Sequence, residues 1–98
     1  MPKPETSLVR KIMTRLGAEG GWWMKVHGSI FQASGIPDII GCYKGRFVGI
    51  EVKMPGNVPT KLQLHNIGLL KEAGANVGVA YSVEQAIKIR DEGGENNE

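Results

Sequence analysis

Two short runs of strand-type residues, 38–43 (Asp-Ile-Ile-Gly-Cys-Tyr) and 46–53 (Arg-Phe-Val-Gly-Ile-Glu-Val-Lys), are separated by only Lys44-Gly45. So short a connection makes them neighbours in an antiparallel hairpin. Asn-Gly or Asp-Gly would signal the turn more strongly, but Lys-Gly can form it. The turn then dictates register. Tyr43 faces Arg46, Cys42 faces Phe47, Ile40 faces Gly49 and Asp38 faces Glu51. Opposed residues share a face of the ladder, with Cβ atoms roughly 4.5–5.5 Å apart. Alternation returns Lys53 to the face of Glu51 and sends Val48, Ile50 and Val52 to the other side as a core face.

Two carboxylates are therefore set directly opposite each other. Like charges in that position destabilise a sheet unless something compensates them. A divalent cation is the natural compensation, since Mg²⁺ and Mn²⁺ prefer oxygen ligands. A lysine beside them could orient a water or neutralise charge on a phosphate. A bare Glu-x-Lys is common on exposed strands, and Asp38 could be a plain turn residue after Pro37. The Gly-Ile-Pro-Asp segment at the facing position turns a common pattern into a candidate site.

The remaining elements frame this hairpin. Leu8, Val9, Ile12, Met13 and Leu16 recur at helical spacing and predict a helix over 5–16, with Gly17 as its stop. Residues 22–27 predict a strand, and 28–36 a loop. Thr60 can cap a helix over 61–73 that Gly74 ends, residues 76–81 predict a strand, and Ser82 can cap a last helix to about Glu92. The order is α-β-β-β-α-β-α. A hairpin followed by a strand–helix–strand unit implies an α/β fold with a mixed central sheet flanked by helices. Residues 1–92 are expected to form one domain, and 93–98 a disordered polar tail.

Charge is unevenly spread along the 98 residues. Residues 1–90 hold all 12 Lys and Arg but six of the ten acids, so the body carries +6 against +2 for the whole chain. A basic body suits a polyanionic partner, although excess Lys and Arg can also merely solubilise a surface. The single cysteine, Cys42, rules out a disulfide framework or a multi-cysteine zinc site within one chain. It fits a reducing, cytoplasmic setting. Met1 to Glu5 lacks an apolar signal core, and no apolar run approaches the ~20 residues that span a membrane. So small a domain is only marginally stable alone, which keeps dimerisation open.

Gly35-Ile36-Pro37-Asp38, Glu51-Val52-Lys53 and the downstream Gln63 resemble the PD-(D/E)XK nuclease superfamily. More narrowly, residues 5 to about 90 resemble a stand-alone VRR-NUC domain of the phage type. The resemblance implies a restriction-endonuclease-like fold and Mg²⁺- or Mn²⁺-dependent phosphodiester hydrolysis. It implies that Asp38, Glu51 and the Val52 main-chain carbonyl bind metal and that Lys53 is the catalytic lysine. Glu5 matches an acid that assists the metal site, often through water, and Gln63 matches a supporting helix glutamine. Small members of this kind act as homodimers on branched DNA such as four-way (Holliday) junctions, in the host cytoplasm when phage-encoded.

Several of these residues have structural explanations too. Glu5 could simply stabilise a helix N-terminus, and Thr60-x-x-Gln63 is a capping-box pattern. Lys25 and His27, on one strand face, together with Ser34 and Lys61, are candidate nucleic-acid contacts. Trp22 and Trp23 must face opposite ways, one into the core and the other towards a dimer partner or DNA. Cys42 is expected to be a small buried hydrophobe. Two other functions fit the same residues: a non-catalytic nucleic-acid-binding module, and a metal-dependent nuclease acting on other DNA or on RNA.

Overall fold

In the computed structural model, residues 4–26 and 35–94 are described. Helix α1 spans Pro4–Ala18, strand β1 Trp22–Lys25, β2 Ile39–Tyr43, β3 Arg46–Val52, helix α2 Lys61–Glu72, strand β4 Asn76–Ala80 and helix α3 Val83–Glu92. This is the expected order. The strands form one mixed sheet ordered β1-β2-β3-β4. The pairs β1–β2 and β2–β3 are antiparallel, and β4 joins β3 in parallel.

The hairpin register is the expected one, with Tyr43 opposite Arg46 and Ile39 opposite Ile50. Lys44 (φ 50°) and Gly45 (φ 80°) both take positive φ. Two such residues in succession match the twist of the flanking strands. Glycine adopts that conformation freely, while Lys44 is strained in it.

The two faces of the sheet differ. On one, Ile39, Val48, Ile50, Val52 and Ala80 pack with Val9, Ile12 and Leu16 of α1 and Ala86 and Ile89 of α3. This closed face is the hydrophobic core, and the side chains of Ile12, Leu16, Ile39, Val48, Ile50 and Val52 are fully buried. Burying each such side chain contributes roughly 1.5–3 kcal/mol. On the other face, α2 packs against β4, with Ile67 and Val77 both buried. That face is covered only in part and is called the open face below.

Both predicted helix caps are present. The Thr60 hydroxyl accepts from the Gln63 N–H at 3.1 Å, and the Ser82 hydroxyl accepts from the Gln85 N–H at 3.1 Å. Gly17 does not end α1. The helix continues to Ala18, and Glu19 beyond it bonds Arg15 and Arg90. Gly93 and Gly94, expected in the polar tail, are held by backbone hydrogen bonds, the Gly93 N–H donating to the Ile89 carbonyl at 2.8 Å. The Gly94 N–H donates to the Val77 carbonyl at 3.1 Å, tying the chain to the outer edge of β4.

Arg90 is buried (6% exposed) where α3, α1 and the sheet meet. Its guanidinium donates to Glu19 Oε1 at 2.7 Å and Asp91 Oδ1 at 2.9 Å, and lies 4.4 Å above the Tyr43 ring. Its carbonyl accepts from Asn76 Nδ2 at 2.9 Å. Beside Arg15 and Arg90, the Glu19 carboxyl is held below its ordinary range. Among the described residues, no buried side-chain nitrogen or oxygen of this cluster lacks a hydrogen-bond partner, so the buried cation acts as a tie between elements.

Candidate metal centre

The hairpin ends opposite its turn, at Asp38 and Glu51. Asp38 lies one residue before β2, and the residue after it, Ile39, pairs with Ile50. Continuing the ladder by one step sets Asp38 against Glu51. On its other side, Asp38 extends the β1–β2 ladder, its carbonyl accepting from the Val26 N–H at 2.8 Å. The Asp38 side chain is fixed as well, its Oδ2 accepting from the Val52 N–H at 2.8 Å. A strand residue's N–H and C=O leave the same side of the strand, so the Val52 carbonyl also faces β2 and Asp38.

Glu51 is 1% exposed, and neither carboxylate oxygen has a hydrogen-bond partner. Burying a charge without a partner is costly. The Lys53 ammonium stands 4.0 Å from Glu51 Oε2, close enough to attract but too far to hydrogen-bond. Burial, reinforced by the neighbouring Asp38 carboxylate and only partly offset by Lys53, pushes the Glu51 carboxyl up to about 8. The protein thus holds a carboxylate in a place where protein contacts alone leave it unsatisfied. Two facing carboxylates and a nearby main-chain carbonyl form an all-oxygen donor set, which suits a hard divalent cation.

Gly49 shapes the approach to this pair. A Cβ added there would lie 3.1 Å from Val77 and 3.2 Å from Pro37. Glycine lets the Pro37 ring settle on the open face just before Asp38. A glycine in mid-strand often marks such a close approach, and the run 46–53 carries that signal.

The other candidate residues fall elsewhere. Glu5 lies in the first turn of α1, one turn before Val9 on the stripe that packs on the closed face. Among the described residues, no group of three or more His, Cys, Asp or Glu side chains could hold a metal ion directly. Gln63 is engaged in the capping box, its Oε1 accepting from the Thr60 N–H at 2.8 Å. Lys61 is exposed at the start of α2. Lys25 pairs with Ile39 and so stands on the opposite face from Asp38 and Glu51. His27 and Ser34 lie outside the described residues.

Cys42 is exposed, contrary to the expectation that it is buried, because no described helix crosses the sheet above it. Trp23 is half-buried against the core and Tyr43, while Trp22 is 60% exposed. A groove of about 650 Å³ runs along the outer edge of β4 between α2 and α3, lined by Val58, Leu64, Tyr81 and Lys88 among others. It contains none of Asp38, Glu51 and Lys53. None of the described helices is long and apolar enough to cross a membrane.

No protein-family model matches the chain. No curated protein matches its sequence. Among solved structures, a VRR_NUC domain superposes with a TM-score of 0.75 at 28% sequence identity, over 93% of this chain and 98% of that one. The chain is therefore a VRR-NUC domain protein, a nuclease-like α/β domain of the restriction-endonuclease type.

Proposed function

We propose that this protein is a Mg²⁺- or Mn²⁺-dependent endonuclease that hydrolyses DNA phosphodiester bonds, with Asp38, Glu51 and Lys53 at its centre. The observation that carries the reading is the pair of buried Glu51 oxygens without a hydrogen-bond partner, next to Asp38. Asp38, Glu51 and the Val52 carbonyl would hold the ion. A divalent cation there supplies Lewis acidity towards a phosphoryl oxygen and towards an attacking water. The protein's own groups do the rest. The Val52 N–H holds one Asp38 oxygen in place and leaves the other available. The Lys53 ammonium offsets the negative charge that grows on the scissile phosphate. The basic body draws in the polyanionic substrate.

The finer reading is of a homodimer selective for branched DNA, four-way junctions included, working in the cytoplasm. Its support is the VRR-NUC likeness, the small size of the domain and its single free cysteine. The test is incubation of the purified chain with labelled junction, flap and linear DNA and with RNA, in Mg²⁺, Mn²⁺ or EDTA, with Glu51→Gln as control. Metal-dependent junction products that vanish in the variant are expected. Salt-sensitive binding without any product would instead make the chain a non-catalytic nucleic-acid module. Products from RNA or linear DNA alone would move the substrate class.

A further inference from the structure

The outer edge of β4 is open where it meets the groove between α2 and α3. The Lys53 N–H donates to the Ala80 carbonyl at 3.0 Å, so the main chain of Ala80, and by alternation that of Gly78, faces β3. The N–H and C=O groups of Val77, Val79 and Tyr81 then point outward. Two of these positions are tied off. The Val77 carbonyl accepts from the Gly94 N–H at 3.1 Å, and the Tyr81 N–H donates to Gln85 Oε1 at 2.7 Å. Between them, no hydrogen bond among the described residues reaches the outward N–H or C=O of Val79, which lines the groove half-buried. β4 (Asn-Val-Gly-Val-Ala) carries no lysine or proline, residues with which proteins commonly block such an edge.

We propose that this groove docks an extended segment of a partner protein, which adds to β4 as a further strand and carries apolar residues flanked by acidic ones. Main-chain pairing with Val79 anchors the segment. Alternate side chains of an added strand point to opposite faces, one set towards α2 and the other towards α3. Leu64 and Ile67 of α2 and Ile89 of α3 give both sets apolar walls, and Leu64 is 52% exposed there. Val58, at the Tyr81 end, is 76% exposed. Both charged side chains in the lining are cationic, Lys71 on α2 and Lys88 on α3, which sets the acidic character of the partner. From Val77 to Tyr81 the edge runs ~13 Å, room for roughly four or five extended residues.

The shape of the groove selects this occupant. In a second copy β4 lies at the bottom of the same groove, so two such edges cannot meet across their own helices. A single extended segment can reach the edge, and a nucleic acid has no regularly spaced amides and carbonyls to pair with it. The docked segment lies roughly 10 Å from β3. Its groove contains none of Asp38, Glu51 and Lys53, so a partner can hold the domain without covering the candidate metal centre. The docking does not rest on the function proposed above.

Isothermal titration calorimetry of the full chain with a short end-blocked peptide, a run of valines flanked by aspartates, tests the groove. Saturable binding with a Kd of about 0.1 mM or tighter is expected. Methylating alternate backbone nitrogens of the peptide should weaken binding by more than about tenfold for one set and leave it within about twofold for the other, because only one set faces β4. Val79→Pro removes the edge N–H without touching a bond to β3, and should abolish binding with the circular dichroism unchanged. Lys88→Glu, at an exposed position, should weaken the aspartate-flanked peptide by about fivefold and favour a lysine-flanked one, which decides the matter even if Val79→Pro fails to fold. Absence of saturable binding, equal loss with both methylated peptides, or indifference to Lys88→Glu would overturn the proposal. So would a dimer of the chain that Val79→Pro dissolves, since the edge would then belong to a second copy. Glu51→Gln must still bind the peptide, so failure of the docking and failure of the nuclease reading give different results.

Discussion

The molecule buries two ionisable side chains, Arg90 and Glu51, at opposite ends and on opposite faces of one sheet. Arg90 is surrounded by two carboxylates, an aromatic ring and an amide. Glu51 is more deeply buried, yet no hydrogen bond reaches either oxygen, and its neighbours are a second carboxylate and a lysine at 4.0 Å. A buried ionisable group that the protein satisfies by itself has a structural task. One left unsatisfied costs stability, and such a group persists where it serves something the protein does not contain.

The largest expected effect follows from that contrast. Glu51→Gln and Asp38→Asn should each lower metal-dependent cleavage by on the order of 10³-fold, read as initial rates in Mn²⁺. Both variants should fold normally, with melting in EDTA no lower than for the unaltered chain. Full activity in either would erase the distinction between the two buried groups. Arg90→Met should do the reverse. It should cost about 3 kcal/mol in urea unfolding while sparing cleavage per folded molecule.

A smaller effect concerns pH. The folded-state Glu51 carboxyl titrates near 8 instead of at its ordinary 4.5, so the unfolded chain gives up this proton first. Without metal, its contribution to stability is full below about pH 4.5 and is lost as pH rises through about 8. The difference between pH 5 and pH 9 should be on the order of 2 kcal/mol after solvent screening, compared by urea unfolding in EDTA. Glu51→Gln should flatten that slope. Added Mg²⁺ or Mn²⁺ should restore high-pH stability only in the unaltered chain. The smallest effect is at Gln63. Gln63→Ala should cost about 1 kcal/mol through the lost cap and leave cleavage per folded molecule unchanged. A tenfold loss of rate there would return Gln63 to the site.

The hairpin was legible in the amino-acid sequence because a two-residue turn and a period of two leave one register. Asp38 opposite Glu51 follows by counting. Cys42 was misjudged because alternation tells which face a residue takes but not what covers that face. Cover depends on where α2 settles, which is a matter of tertiary packing. Gln63 carried two meanings in one pattern, and the position of its Oε1, which accepts from the Thr60 N–H, establishes the cap. Glu5 was placed correctly on a helix, but helical periodicity does not say how far its first turn stands from the end of a hairpin. Nothing in the sequence singled out Arg90, because Glu19, Asp91 and Tyr43 converge on it from separate parts of the chain.

The Lys44-Gly45 turn touches neither carboxylate, yet the chemistry depends on its length. It acts as a counter: with two residues in the turn, Asp38 meets Glu51. One residue more would slide β2 along β3 and turn every side chain of one strand over. Val48, Ile50 and Val52 would then compete for the wrong side, and the two carboxylates would part. Single substitutions at the turn should therefore be far better tolerated than single-residue insertions or deletions. Over evolutionary time, side chains there can drift freely, while the number of residues cannot.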